Sequence, residues 1–110
     1  MKRLLEIRSY SLKPGIAGEF HRLVTEQSLP MLHRWGVDVV AHGPSSHDPD
    51  SYFLIRAYDD DAERQASQDA FYSSDEWRNG PRQAIVDCIE SDVTLSLELD
   101  PATIDGLRSG

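Results

Sequence analysis

The stretch of sequence that decides the fold is Leu4-Leu5-Glu6-Ile7-Arg8-Ser9-Tyr10-Ser11-Leu12-Lys13-Pro14-Gly15. Leu5 and Ile7 alternate with polar residues, which is the pattern of a strand that buries one face. The Pro-Gly turn leads into an amphipathic helix predicted over residues 15–34, with an interruption at Pro30. A second, weaker copy of this unit begins near Tyr52, and together they predict a small sheet with helices stacked on one side.

The composition indicates one acidic globular domain. The chain has 110 residues, of which 39% are hydrophobic and 27% charged, and its formal net charge is −8. This excess of negative charge argues against a nucleic acid or an anionic membrane as the partner. No apolar run approaches the ~18 residues of a membrane span, and no signal sequence follows Met1, so we expect a cytoplasmic protein.

The remaining elements complete a β-α-β-β-α-(α)-β order. Three more strands are predicted, over residues 37–42, 51–58 and 92–99. Two more helices are predicted, over residues 61–72 and 81–90, with a short helix starting at Ser74 between them. This order is the split βαβ arrangement of ferredoxin-like folds, an α+β class with a four-stranded antiparallel sheet and helices on one face. Residues 1–100 are predicted to form this domain, and residues 101–110 a polar C-terminal tail.

The sheet face without helices is predicted to be partly apolar. Side chains of one parity from three strands are assigned to it, namely Leu4, Glu6, Arg8, Tyr10, Leu12, Tyr52, Leu54, Arg56, Tyr58, Thr94, Ser96 and Glu98. Several tyrosines and leucines are unusual on a solvated face. We therefore expect a second copy to cover it through a two-fold axis, giving a homodimer; a monomer with an aromatic exposed sheet is the alternative.

The opening motif resembles a known family. Glu6-x-Arg8-x-Tyr10-x-Leu12-x-Pro14-Gly15, followed by Phe20, is similar to the start of NIPSNAP-type domains, and further matches extend the resemblance over residues 4–99. These further matches are Leu29-Pro30-Met31-Leu32, Tyr58 with its acidic run, and Ser74-Asp75-Glu76-Trp77. The resemblance implies a dimeric α/β barrel, in which two ferredoxin-like sheets face each other around a lumen. The broader superfamily includes cofactor-free monooxygenases, haem-degrading enzymes, isomerases and decarboxylases, so the resemblance defines no single reaction.

The predicted ligand site lies between the uncovered sheet face and the helices at its rim. Arg8 and Arg56 share one side of adjacent strands, where two guanidinium groups would hold a carboxylate or an enolate oxygen. Glu6 is the third polar candidate there, and an ion-pair network of the two arginines with Glu6 and Glu98 is the alternative. Trp77 and Asn79 are expected to form an aromatic, amide-bearing wall of the site. A helix-to-core anchor is the alternative role for the tryptophan.

Three residues are predicted to handle protons if the site is catalytic. His42 is the candidate general acid or base, with a solvated histidine as the alternative. Tyr10 and Tyr58 would donate hydrogen bonds to a bound oxygen, with packing as the alternative. No metal is predicted, because the four histidines lack the spacing of a helical metal pair and the acidic run at 59–61 is explained by a helix start.

The sequence therefore predicts a protein that binds a small anionic or aromatic organic molecule in the lumen, without a cofactor. Cofactor-independent oxygenase or isomerase activity is the catalytic version of this prediction, and whether the protein is an enzyme stays open. The alternative is a non-enzymatic dimerisation or interaction module whose lumen is filled by side chains.

Overall fold

The computed structural model describes residues 1–108 and contains one four-stranded antiparallel sheet. Its strands are β1 (Leu4–Leu12), β2 (Asp38–Pro44), β3 (Ser51–Tyr58) and β4 (Ile89–Glu98). Their order across the sheet is β2-β3-β1-β4, so that β1 pairs with both β3 and β4. The predicted ferredoxin-like α+β class is confirmed. The last strand starts earlier than predicted, because Ile89 already pairs with Leu12.

Six helices accompany the sheet in the described residues. They are α1 (Ala17–Leu23), α2 (Leu29–Arg34), α3 (Asp61–Tyr72), α4 (Asp75–Arg78), α5 (Arg82–Cys88) and α6 (Pro101–Gly106). The predicted interruption near Pro30 is confirmed, since a π-helical turn over Val24–Ser28 separates α1 from α2. Proline has no N–H to donate, so the regular ladder of hydrogen bonds cannot continue through it.

The helix ends follow the local sequence. The Asp60 side chain accepts a hydrogen bond from the Glu63 N–H at 2.8 Å, so the acidic run caps α3 as predicted. The Ser74 side chain accepts one from the Trp77 N–H and caps α4 in the same way. Gly36 has a φ of +74° directly after α2, the left-handed conformation that a glycine adopts most easily.

The two faces of the sheet are the reverse of the prediction. Tyr10 and Tyr52 face the helices, and their ring centroids lie 5.4 Å and 5.0 Å from that of Phe20 on α1. Glu6 and Arg56 share this helix-covered face and are buried, with 0% and 1% of their surface exposed. Charged residues were expected on the uncovered side, but a carboxylate and a guanidinium that pair directly are tolerated in a core.

The opposite face of the sheet is apolar, and α6 covers one end of it. Ile104 on α6 is fully buried against Leu5, Val40 and Ala57, although a polar tail was predicted over residues 101–110. Arg108 fixes this segment to β2 by donating to both carboxylate oxygens of Asp38, at 2.7 Å and 2.9 Å. The division into domain and tail stays a prediction, and residues 109 and 110 lie outside the described residues.

The other end of the apolar face carries no helix. Val93 and Leu95 on β4 alternate with Thr94 and Ser96, which were assigned to the uncovered face, but they are themselves 69% and 58% exposed on this face. Across the sheet they neighbour Ser9 and Ile7 of β1. Within residues 1–108, no helix combines the length and the hydropathy needed to cross a membrane.

Candidate functional site

A cavity of about 250 Å³ lies between the sheet and the helices. Seventeen residues line it: Arg8, Tyr10, Phe20, Val24, Ser28, Leu29, Leu32, Tyr52, Leu54, Phe71, Tyr72, Trp77, Arg82, Ile85, Val86, Ile89 and Asp92. Val24 and Ser28, the first and last residues of the π-helical turn, are both among them. Such turns occur frequently at functional sites. Because Tyr10 and Tyr52 on the helix-covered face line it, the cavity lies on that side of the sheet, whereas the dimer lumen was predicted on the uncovered side.

Most of the cavity wall is apolar. Trp77 lies 7% exposed in this wall, with its ring centroid 5.3 Å from that of Phe71 and 5.5 Å from that of Tyr72. It is thus both the core anchor and the aromatic wall that the sequence suggested. Asn79 follows α4 on the surface and does not line the cavity, so its predicted place in the wall of the site is not what the structure contains.

The polar end of the cavity is formed by side chains from β1, α3, α5 and β4. Arg8 Nη1 donates a hydrogen bond to the Tyr72 hydroxyl oxygen at 3.2 Å. Arg82 is exposed at the rim, and Asp92 is the one carboxylate in the lining. Arg8 Nε is buried and has no hydrogen-bond partner in the described part of the chain. The cavity thus carries two guanidinium groups against one carboxylate.

A buried ion pair lies directly beneath this polar end. Arg56 donates to Glu6 Oε1 from Nε at 3.1 Å and from Nη2 at 2.5 Å. Gln68 donates to Glu6 Oε2 at 2.6 Å, and Arg64 donates to the same oxygen at 3.2 Å. Burial alone would raise the pKa of Glu6, but Arg56, Gln68 and Arg8 together hold it below its usual value.

This network changes the roles predicted for Arg56 and Glu6. Neither residue lines the cavity, so neither is placed to contact a ligand there. The remaining Arg56 nitrogen, Nη1, donates to the Tyr72 hydroxyl oxygen at 2.8 Å. The ion-pair alternative is therefore what the structure contains, with Glu6 at its centre, while Glu98 is exposed on β4.

The two tyrosines predicted to be catalytic occupy different environments. Tyr10 lines the cavity, and burial raises its pKa to about 12, so its hydroxyl is protonated at neutral pH. Tyr58 is 1% exposed and lies outside the lining, where its hydroxyl accepts a hydrogen bond from Gln68 at 3.3 Å. Burial raises the pKa of Tyr58 as well.

His42 lies behind the cavity wall rather than in it. The bulge between Val39 and Ala41 turns it towards the helices, where its Nδ1 atom lies 3.2 Å from the Tyr52 hydroxyl. His21 Nδ1 lies 2.7 Å from the same hydroxyl. Burial and the neighbouring His21 lower the pKa of His42. No group of three or more His, Cys, Asp or Glu side chains within residues 1–108 is arranged to hold a metal ion.

The sequence analysis missed Tyr72, Arg82 and Asp92, although one signal for Tyr72 was present. Arg64, Gln68 and Tyr72 recur at intervals of four residues, which places them on one face of α3. This face carries hydrogen-bonding side chains instead of the apolar stripe expected of a helix that packs on a sheet. Such a pattern indicates a buried polar partner beneath the helix.

The comparisons with known proteins agree with this fold. The sequence profile of the NIPSNAP family matches residues 5–99. None of the curated proteins matches the sequence. An uncharacterised NIPSNAP domain protein from Burkholderia xenovorans superposes with a TM-score of 0.80 at 20% identity, covering 89% of this chain and 95% of its own.

Two further solved structures are similar. A NIPSNAP family protein of unknown function from Agrobacterium tumefaciens gives a TM-score of 0.81 at 19% identity, covering 88% of this chain and 87% of its own. A putative antibiotic biosynthesis monooxygenase from Bordetella bronchiseptica gives 0.72 at 20% identity, covering 91% of this chain and 99% of its own. At these identities the likeness concerns the fold alone.

Proposed function

This chain belongs to the NIPSNAP family, and we propose that it binds a small organic anion in the cavity between its sheet and its helices. The observation that carries this proposal is the division of the cavity into an apolar wall and a cationic end. Ligand sites typically combine a mostly apolar lining with a few polar groups that fix the orientation of the ligand.

The size of the cavity limits the ligand. Its volume of about 250 Å³ lies just below the range of about 300–1,000 Å³ that is usual for ligand pockets. The aromatic wall formed by Phe20, Phe71 and Trp77 suits a flat apolar body of one or two rings.

The charge of the polar end favours an anion. Arg8 and Arg82 lie in the lining against the single carboxylate of Asp92. Guanidinium groups form charge-assisted, often bidentate hydrogen bonds with carboxylates and related oxyanions. A ligand with a carboxylate, phenolate or enolate oxygen at this end would also provide an acceptor near Arg8, whose Nε atom has no partner within residues 1–108.

A catalytic version of the proposal is cofactor-independent oxygenation or isomerisation of the bound anion. Arg8 would stabilise the oxyanion, and Tyr10 would donate a hydrogen bond from the cavity wall. His42 would reach the ligand only through Tyr52. The fold shared with the putative monooxygenase from Bordetella bronchiseptica is compatible with this chemistry but does not assign it.

We also propose a homodimer in which a second copy covers the exposed apolar end of the opposite sheet face. Val93 and Leu95 are the exposed side chains that support this interface. The apolar face of the sheet would then form the dimer interface, and the ligand would bind on the helix-covered face. A pure interaction module would need this interface but no ligand site.

The ligand proposal predicts that Arg82→Gln weakens the binding of naphthoate, a two-ring carboxylate, by about 10- to 100-fold. This range corresponds to one lost hydrogen bond between charged groups, about 1.5–3 kcal/mol. Binding is measured by tryptophan fluorescence in a Trp35→Phe background, where Trp77 in the cavity wall is the only reporter.

The matched control is Arg78→Gln, which removes the same charge from an exposed residue outside the cavity lining. It is expected to change naphthoate affinity by less than about twofold, because Arg78 does not line the cavity and a charge without direct contact to the ligand is screened by solvent. Equal losses in both variants, or no binding of naphthoate and of the smaller benzoate to the wild-type cavity, would contradict the proposal.

A further inference from the structure

The hydrogen bonds of Tyr72 determine the direction of its phenol proton. Arg8 Nη1 and Arg56 Nη1 lie 3.2 Å and 2.8 Å from the Tyr72 hydroxyl oxygen. Arginine has only donors, so the phenol oxygen accepts both hydrogen bonds. Its own proton must therefore be donated elsewhere, and no side chain or backbone group in residues 1–108 accepts it.

The Tyr72 side chain is partly buried at the polar end of the cavity. Arg56 is 1% exposed, and the Arg8 side chain is 17% exposed, so the oxygen that both contact lies on the inner side of α3. Tyr72 also lines the cavity, and its ring packs edge-on against those of Phe71 and Trp77. The aromatic contacts fix the ring, and the two arginines fix the oxygen.

Tyr72 is partly buried and lines the cavity, so a ligand oxygen at the polar end is in a position to accept this proton and would gain a hydrogen bond by doing so. We propose that Tyr72 donates this proton to an oxygen of the bound molecule, so that the cavity selects ligands with a carbonyl, enolate or carboxylate oxygen at its polar end. This inference rests on the ligand-binding function proposed above and adds the acceptor atom that the ligand must carry.

A pair of uncharged probes separates this hydrogen bond from the attraction of charges. Acetonaphthone has a ketone oxygen, and ethylnaphthalene has nearly the same shape without it. The wild-type protein should bind the ketone about 2- to 10-fold more tightly, the effect of one neutral hydrogen bond of about 0.5–1.5 kcal/mol. Equal affinities for the two probes would overturn the inference without any variant.

The donor is identified by the infrared carbonyl stretch of bound, isotope-labelled acetonaphthone. A phenol that donates to the carbonyl lowers this frequency, and Tyr72→Phe should return it towards the value in an apolar solvent. The matched control is Tyr10→Phe, which removes the cavity phenol contributed by β1 and should leave the frequency lowered. An unchanged frequency in Tyr72→Phe, or a reversal in Tyr10→Phe instead, would overturn the assignment.

The failure of the two proposals can be distinguished. If no naphthalene derivative binds, the proposed function itself is contradicted. If the probes bind but neither the affinity ratio nor the carbonyl frequency depends on Tyr72, only the assignment of the donor is contradicted.

Discussion

The Arg56→Ala variant is expected to lose about 3–5 kcal/mol of unfolding free energy, the usual cost of removing one partner of a buried ion pair. Glu6 is completely buried, and it would keep its negative charge without the guanidinium that donates to it twice. The sequence analysis expected Arg56 to hold a ligand, and a substitution there would then have spared the fold. Urea denaturation monitored by circular dichroism measures the difference.

The control for this prediction is Arg64→Ala. Arg64 also donates to Glu6, at 3.2 Å, but its side chain is 22% exposed, so its loss should cost about 1 kcal/mol or less. Similar losses in Arg56→Ala and Arg64→Ala would contradict the central position of Arg56 in the core.

The Glu6–Arg56 ion pair predicts a dependence of stability on pH. In the wild type, the pKa of Glu6 lies below its usual value, so the ion pair contributes to the unfolding free energy at neutral pH, and this contribution is lost as the pH falls. In Arg56→Ala the buried Glu6 carboxylate keeps its contacts with Gln68 and Arg64 but lacks its main cationic partner, so its charge is most unfavourable at neutral pH. The difference in unfolding free energy between the two proteins should therefore narrow between about pH 7 and about pH 4.

The second large effect is expected at the proposed dimer interface. Leu95→Asp would place a carboxylate in the middle of an apolar contact, and the two-fold axis would do so twice. Desolvation of an unpaired ion costs several kcal/mol, so the dimer dissociation constant should rise about a thousandfold or more. Native mass spectrometry and light scattering after size-exclusion chromatography would then report a monomer.

Thr94→Asp is the matched control for Leu95→Asp. Thr94 precedes Leu95 on β4 and is exposed, but it points to the helix-covered face of the sheet, away from the proposed interface. The same new charge at Thr94 should therefore leave the dimer intact. The interface proposal is contradicted if the wild-type protein is a monomer, or if Leu95→Asp remains a dimer.

The elements and their order were predictable because their signals are local. The Pro-Gly turn after β1 and the caps at Asp60 and Ser74 depend on residues only a few positions apart. The interruption before Pro30 follows from the missing N–H of proline. Each of these features is fixed by a short stretch of chain, whatever packs around it.

The orientation of the sheet was not predictable by the same reasoning. In β1, both parities contain large apolar side chains, so alternation alone does not decide which face the helices cover. The decision rests on Glu6 and Arg56, which stand directly opposite each other in the antiparallel register of β1 and β3. Only the pairing of the two strands shows that these charges neutralise each other and belong inside.

The position of His42 illustrates a second limit. Strict alternation along β2 predicts that His42 lies on the same side of the sheet as Val40, but the bulge between Val39 and Ala41 shifts the alternation by one residue. Tyr72 was missed for a different reason, because its importance arises from two arginines on separate strands. Such contacts become visible only when the strands and α3 are packed together.

The central claim is that the ligand binds between the sheet and the helices. The most direct measurement is a titration of the isotope-labelled protein with naphthoate, followed by amide chemical shifts in nuclear magnetic resonance spectra. We expect saturable shifts concentrated at the cavity, with Val24, Ser28 and Ile85 among those that move, and little change at Ile104 on the other face. Shifts confined to the apolar face around Ile104 and Leu95, or no saturable shifts, would contradict the account.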